Sequence, residues 1–397
     1  MKSVRIALCG IGGYGATYLQ CLLNEDEVRG CRLIAAIDPN IGQSPSRGAL
    51  EARGVKSFTR LEDFYRDNSC DLLVISSPIH FHFEHVCAAL TQGSHVLCEK
   101  PICVTQHEVE KISQLQQHFG KIVTVGYQWS FDPGIQQLKD DLLRGRFGSP
   151  VRLRTLVCWP RDSAYYQRNG WAGSLRDPDG RWILDSPVSN AAGHFLHNML
   201  YILGESREQS ARPVKVVSHL FRANPISNYD TAAIRITTDN GADVQFYTSH
   251  ATQHLTGPEF IYEFEKATIF YSEVKSEMKA VLSNAKVIHY PFPEVDSFNK
   301  LWSAVDAARN GEKSLCGIEA AKSHVRSIEL AQQSSEGILT FPDSMITVDR
   351  TKLSPIIYVK GLQEALTQCY EEGTPENLLK FAERPVKDYA YALANKS

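Results

Sequence analysis

Val4, Ile6 and Leu8 alternate in a short apolar stretch that runs into Gly10-Ile11-Gly12-Gly13-Tyr14-Gly15, and Ala16, Leu19, Leu22 and Leu23 then recur at helical spacing. A strand that turns through GxGxxG into a helix fits few architectures. Gly10 permits the tight turn, Gly12 lets the backbone approach a diphosphate, and Gly15 lets the helix pack close to the strand. Gly13 and Tyr14 complete a loop at the helix N-terminus, where free N–H groups and the helix dipole favour the diphosphate of a dinucleotide. The next apolar run, 32–37, ends in Asp38, 23 residues after Gly15, where a carboxylate can accept hydrogen bonds from an adenosine ribose. Without the glycine motif, Asp38 before Pro39 would read as a plain turn residue. An acid at the ribose repels a 2′-phosphate, and Pro39-Asn40-Ile41-Gly42 offers no cation to bind one, so NAD is favoured over NADP.

Strand and helix patterns keep alternating: a helix near 61–65, a buried strand at 71–75, a helix near 82–92 and a strand at 95–98. Thr105-Gln106-His107-Glu108 has the form of a capping box, and the helix it opens closes at Gly120 before a strand at 121–125. Repeated β-α-β of this kind predicts a doubly wound parallel sheet over residues 1–126.

Length and composition set the remaining bounds. A chain of 397 residues makes two domains the default. With 43% hydrophobic residues it can build large cores, and 42 Lys and Arg against 45 Asp and Glu leave no basic excess for nucleic acid. No apolar run is long enough for a membrane helix, so no membrane partner is expected. The start, Met1-Lys2-Ser3-Val4-Arg5, resembles the opening of a secretory signal, but glycines interrupt the apolar stretch, and it reads as a first strand. The ten cysteines are scattered without a CxxC pair, which suits reduced, buried thiols in a cytoplasmic protein.

At the end of the strand at 95–98 stands Glu99-Lys100-Pro101, and here the chain resembles the Gfo/Idh/MocA family of nicotinamide-dependent sugar and polyol oxidoreductases. The family's glycine turn falls on Gly10 to Gly15, its acidic ribose residue on Asp38, and its Thr-Pro-x-x-x-His on Ser77-Pro78-Ile79-His80-Phe81-His82. Its Glu-Lys-Pro falls on Glu99-Lys100-Pro101 and its Val-Gly-aromatic strand on Val125-Gly126-Tyr127. The resemblance extends over about residues 3–345 and implies that Ser77, Pro78, His82 and Glu99 join the cofactor site of a Rossmann domain. Lys100 is also singled out by position, because open parallel sheets bind ligands beyond the carboxyl ends of their strands. Burial beside an oxidised nicotinamide would disfavour its ammonium, making it a polarising donor or proton shuttle for a substrate hydroxyl. The cluster His80, His82, Glu84 and His85 has no second group of ligands, so no metal is expected; His80 and His85 read as helix-cap or surface residues.

After Gly126 the pattern changes. A helix at 134–144, a strand at 151–158 and alternating segments at 214–220, 231–237, 244–249 and 260–264 lack intervening helices. They predict an α+β domain over 127–345 with a largely antiparallel sheet; the resemblance implies that this sheet is open-faced and that its open face serves subunit contact, and with it a homodimer or homotetramer. Helices near 297–309 and 318–334 close this region. Residues 346–397 form an extension with an amphipathic stretch at 356–370, expected to pack on a domain or a neighbouring subunit.

A helix is expected over 190–203, with Leu196, Met199, Leu200 and Leu203 on one face and Asn190, His194, His197 and Tyr201 on another. The resemblance places a catalytic histidine at His194 with an acid four residues before it; this chain has Asn190 there, and His197 where the family has an aspartate. An imidazole can take a hydroxyl proton as hydride leaves the same carbon, which makes His194 the candidate base. Asp185 could supply the missing carboxylate if its loop folds back. Tyr127, Gln128 and Trp129 follow the last strand of the first sheet and are expected at the substrate, together with Asp185, Asn190 and His197. The segment 159–182 adds Tyr165, Tyr166, Arg168, Trp171, Arg176 and Arg181, which suits a polyhydroxylated ring and a subunit interface equally. The expected activity is NAD-dependent hydride transfer at a sugar, sugar-derivative or cyclitol carbinol, with Lys100 and His194 in proton transfer. The alternatives are an NAD-dependent glycoside-cleaving enzyme and a nucleotide-sensing regulator.

Overall fold

The structure, a computed structural model, describes residues 3–293 and 298–383. In chain order, β1 (Val4–Cys9), α1 (Tyr14–Glu25), β2 (Cys31–Ile37), α2 (Arg47–Ala52), β3 (Lys56–Phe58), α3 (Leu61–Asp67), β4 (Leu72–Ile75), α4 (Ile79–Thr91), β5 (His95–Cys98), α5 (Gln106–Phe119) and β6 (Val123–Val125) alternate, with α2 and β3 added to the elements expected from the sequence. Then come α6 (Pro133–Leu143), β7 (Pro150–Cys158), α7 (Ser163–Gln167), α8 (Gly193–Ile202), β8 (Pro213–Arg222), β9 (Thr231–Thr238), β10 (Asp243–Ser249) and β11 (Thr256–Phe264). The chain continues with β12 (Ala267–Ser272), β13 (Glu277–Leu282), β14 (Val287–Tyr290), α9 (Asn299–Asn310), α10 (Ile318–Ser334) and β15 (Ile338–Thr340). It closes with β16 (Ile346–Asp349), β17 (Ile356–Val359), α11 (Leu362–Glu372) and α12 (Asn377–Ala382). Ser297 and residues 384–397, which fall within the sequence-based ranges, lie outside the described residues.

Two compact units result. Among the described residues, the first is 3–132 with Ser206–Gln209 and 298–325; the second is Pro133–Glu205, Ser210–Pro293 and 326–383. The first unit holds a six-stranded sheet in the order β3-β2-β1-β4-β5-β6, every pair parallel. β1 lies between β2 and β4, so the chain reverses its direction of winding there and the carboxyl end of β1 opens at the topological switch point. Ile6, Leu8, Leu33, Val74 and Leu97 are buried with Tyr18, Leu19 and Leu22 of α1, and α9 returns to the same core with Leu301, Ala304 and Val305.

The second unit is built on a nine-stranded sheet in the order β14-β13-β12-β11-β7-β10-β9-β8-β15. It is antiparallel except for β7 with β10 and β8 with β15. The parallel pair brings the carboxyl ends of β7 and β10, at Cys158 and Ser249, side by side. Part of one face is covered by the chain's own C-terminal segment: Met345, Val359, Leu362, Leu366, Cys369 and Tyr370 pack with Leu156, Phe221 and Tyr247. The stretch 356–370 is two elements and not one, because four consecutive β-favouring residues make β17 and Gly361, at φ 74°, turns the chain into α11. No helix among the described residues is long and apolar enough to cross a membrane. None of the ten cysteines is in a disulfide, and all but Cys87 are buried.

Candidate active site

In the first unit the glycine loop has the shape the sequence demands. Gly10 has φ 85°, and a Cβ on it would lie 2.6 Å from the Ser76 carbonyl. A Cβ on Gly15 would lie 2.1 Å from the Gly10 oxygen, so loop and helix can close only with glycine at both places. Gly12 and Gly13 face open space: a Cβ on either would meet nothing within 4 Å, which leaves the backbone approachable by a diphosphate. Asp38, just past β2, accepts from Ile11 N at 3.0 Å and from Asn40 N at 2.8 Å. Its carboxylate therefore holds the glycine loop. An open loop with an acid beside it fits a dinucleotide.

The loops after β4 and β5 are tied together by His82, which is buried: Nδ1 lies 2.7 Å from Pro101 O and Nε2 2.8 Å from Ser77 O. Burial lowers its pKa against the pull of these carbonyls, and a neutral ring donates to only one of them. His85 is half-buried and turned inward, with Nδ1 3.0 Å from Ser77 Oγ and 3.6 Å from Cys9 Sγ; burial lowers its pKa to about 4. It is therefore neither a cap nor a surface residue.

Glu99 sits at the end of β5 beside the half-buried Lys100. Tyr18 OH donates to Glu99 Oε1 at 2.7 Å, and the same oxygen receives the Lys300 ammonium at 2.6 Å. Lys300 has no exposed side-chain surface and packs over the rings of Tyr14, at 4.4 Å, and Tyr18, at 5.3 Å. Burial alone would raise the Glu99 pKa; Lys300 and Tyr18 bring it below the ordinary carboxylate value. Gly126 makes room for this carboxylate, since a Cβ there would meet Oε1 at 2.7 Å. The sequence does not reveal Lys300. A lysine on an amphipathic helix, 201 positions beyond its partner, carries no local signal.

Of the three residues expected at the substrate after β6, Tyr127 is fully buried with its OH 2.6 Å from His324 Nδ1, and Trp129 is buried. Gln128 is half-buried.

In the second unit the helix begins at Gly193 and not at Asn190, because Pro187 to Ala192 form turns. Asn190 therefore stands before the helix, and its Nδ2 donates to Asp185 Oδ1 at 2.8 Å. The loop brings these two residues together through Ser189, whose Oγ donates to Leu184 O at 2.6 Å, and through Asp185 Oδ2, which accepts from Gly173 N at 2.7 Å. Leu184, with φ 52°, holds the left-handed conformation that bulky residues rarely take, immediately before Asp185. His194 is half-buried in the first turn of α8, while His197 is fully buried and stacked on Tyr201 at 5.5 Å. Arg176 and Trp182 form a small bridge of their own, with the guanidinium 3.3 Å from the ring centroid.

These features define a dinucleotide-binding Rossmann domain joined to an α+β domain with a broad antiparallel sheet. Residues 4–127 match the Gfo/Idh/MocA family model, described as an oxidoreductase family with an NAD-binding Rossmann fold. Inositol 2-dehydrogenase of Corynebacterium glutamicum is 31% identical over 156 residues, which are 39% of this chain and 45% of that protein. The chain thus spans about half the length of the curated relatives it matches. The same fold is seen in the WlbA dehydrogenase from Bordetella pertussis, solved with NADH and UDP-GlcNAcA, at a TM-score of 0.67 and 18% identity over 84% of this chain and 96% of that one. It is seen again in levoglucosan dehydrogenase in complex with NADH, at a TM-score of 0.68 and 16% identity over 84% of this chain and 98% of that one.

Proposed function

We propose that this protein is an NAD-dependent oxidoreductase that moves hydride between a sugar, sugar-derivative or cyclitol carbinol and the nicotinamide. The observation that carries the reading is the Glu99-Lys100 strand end, held by the buried Lys300 in the unit that also presents the open glycine loop. NAD, when bound, supplies the hydride acceptor. Glu99 is occupied by Lys300 and Tyr18, so it orients the turn and leaves proton work to its neighbour. Lys100 donates a hydrogen bond to the reacting hydroxyl, and His194 takes its proton as general base. Asp185, Asn190 and Gln128 are assigned to substrate hydroxyls, with Asp185 the anionic member of its loop. The relatives named for inositol and levoglucosan support a polyhydroxylated substrate. We read the chain as a cytoplasmic homo-oligomer, the former from its ten scattered cysteines, none of them in a disulfide.

The test is NADH absorbance against a panel of sugars, sugar acids and cyclitols, with their aryl glycosides alongside. Net NADH from a free sugar or cyclitol is expected. Cleavage of aryl glycosides without net NADH overturns the dehydrogenase reading in favour of transient oxidation and elimination.

A further inference from the structure

We propose that Arg161, Arg168 and His250 form an anion subsite in the second unit that takes the carboxylate of a sugar acid. The proposal rests on the oxidoreductase reading and narrows its substrate class.

The parallel pairing of β7 and β10 creates the place. Beyond their carboxyl ends, Trp159 N donates to Ser249 O at 2.9 Å and Arg161 N to His250 O at 3.0 Å, so the two strand ends stay zipped together and deliver Arg161 and His250 as neighbours. α7 follows at once, capped by Asp162, and adds Tyr165, Tyr166 and, at its end, Arg168. Both guanidiniums pack on the ring of Tyr165, with Cζ 4.7 Å away for Arg161 and 3.6 Å for Arg168. The His250 ring meets the same tyrosine edge-on at 5.5 Å. Trp159, fixed by its Nε1 bond to Gly257 O at 3.1 Å, lies under Arg161 at 5.9 Å. It also packs edge to face at 5.5 Å with Phe195, the residue next to His194. A run of ring contacts therefore leads from the two arginines to Phe195 in the first turn of α8.

The charges of this cluster are not balanced from within. Arg161 is half-buried, its Nε is buried without a hydrogen-bond partner, and no carboxylate among the described residues pairs with it. Arg168 spends one N–H on Tyr165 O at 2.7 Å and likewise has no carboxylate partner among the described residues. The acids nearest in influence are committed elsewhere: Asp185 to Gly173 and Asn190, and Asp230 to Ala223, Asn224 and Thr231. A guanidinium held half out of water without a counter-charge is costly unless a ligand supplies one.

His250 sharpens the assignment. It is 3% exposed, and its Nε2 is buried without a hydrogen-bond partner. Burial and the charges of Arg161 and Arg168 hold it well below its ordinary value, so the ring is neutral. Burial keeps the Tyr166 hydroxyl protonated, and that hydroxyl, 3.3 Å from His250 Nδ1, donates to it. Nε2 then carries the hydrogen. The cluster offers two guanidinium forks and one N–H, all donors, against aromatic faces that suit a sugar ring. Planar forks match a planar carboxylate, and neither lysine nor a glycine-rich turn of the kind that cradles phosphate is present in it.

The test measures binding by calorimetry on the NADH-saturated protein, with D-glucuronate, D-galacturonate, D-glucose, D-galactose and D-glucose 6-phosphate as probes. At least one hexuronate is expected to bind tenfold or more tightly than its neutral hexose. Arg161→Met should erase that preference while far-UV circular dichroism and NADH affinity stay as in the wild type. Arg161→Lys should keep part of it, and Arg168→Met, at an exposed side chain, should reduce it in a protein that folds normally. Equal binding of acids and neutral sugars, a preference that survives both Met variants, or tighter binding of the hexose phosphate overturns the subsite. A protein that oxidises neutral sugars without preferring acids loses the subsite and keeps the oxidoreductase assignment. One that prefers uronates but forms no NADH from any sugar keeps the subsite and loses that assignment.

Discussion

The Lys300 ammonium lies 2.6 Å from Glu99 Oε1, both groups buried, and this pair joins the end of β5 to a helix that returns from far along the chain. Breaking a buried pair from one side leaves the other charge unpaired, so Lys300→Met should cost about 3–5 kcal/mol in urea denaturation. Lys300→Met combined with Glu99→Gln should recover much of that loss. The pH dependence has a defined sign. Glu99 is depressed below its ordinary 4.5, so its contribution is complete above that pH and lost as pH falls through its folded value. Lys300 is raised above 10.5, so its contribution is complete below that pH and lost at more alkaline pH. The difference in stability between wild type and the double variant should thus be flat from about pH 5 to 10 and shrink outside that window.

Glycine positions separate folding from binding. Gly10→Ala would set a Cβ against the Ser76 backbone at φ 85°, and should cost about 3–5 kcal/mol by thermal or urea melts. Gly12→Ala meets nothing in the protein, so it should melt like the wild type yet bind NAD at least about tenfold more weakly. A Gly12→Ala protein with wild-type NAD affinity would remove the diphosphate from this loop.

Asp38 has two tasks, and its removal should show both. Wild type should bind NAD more tightly than NADP in fluorescence titrations. Asp38→Ala should narrow that gap by about tenfold through loss of repulsion at the 2′-phosphate, and should weaken NAD itself because Ile11 N loses its acceptor. A wild type that prefers NADP refutes the assignment.

Lys100→Met and His194→Gln should each lower kcat/KM by about 10²–10⁴ with NAD affinity within a few-fold of wild type, as for loss of a proton-transfer group. If Lys100→Met turns over the true substrate at the wild-type rate, Lys100 has been misassigned.

Asn190→Asp puts a second carboxylate in place of the amide that donates to Asp185 at 2.8 Å. Two carboxylates so close cannot both ionise, and one pKa must rise. A raised carboxyl pKa favours the folded state at low pH and loses that benefit as pH increases. The variant should therefore approach wild-type stability near pH 4–5 and fall about 1–3 kcal/mol below it by pH 8, read from melts across that range. An equal deficit at both pH values would mean that the loop has reopened and parted the two groups.

Within residues 4–125, all but α2 and β3 were legible because their information is local. A glycine that needs φ 85°, a capping box and a four-residue apolar strand each declare themselves within a few positions, and β-α-β repetition then leaves one sheet topology in practice. In the second unit β7 to β11 were legible from alternation, whereas β12 to β17 were not. The start of α8 was not, since apolar periodicity runs back through residues whose Pro187 and serine side chains prefer turns. What only the tertiary structure decided are partnerships across long separations: Lys300 with Glu99, Asp185 with Asn190 across a folded loop, and Arg161 beside His250. A side chain's sequence neighbours fix its periodicity, but its charge state and hydrogen-bond partners depend on which distant strand end or helix is brought against it. The parallel pairing of β7 with β10, which nothing in either strand's own residues specifies, is what sets a half-buried arginine next to a neutral histidine.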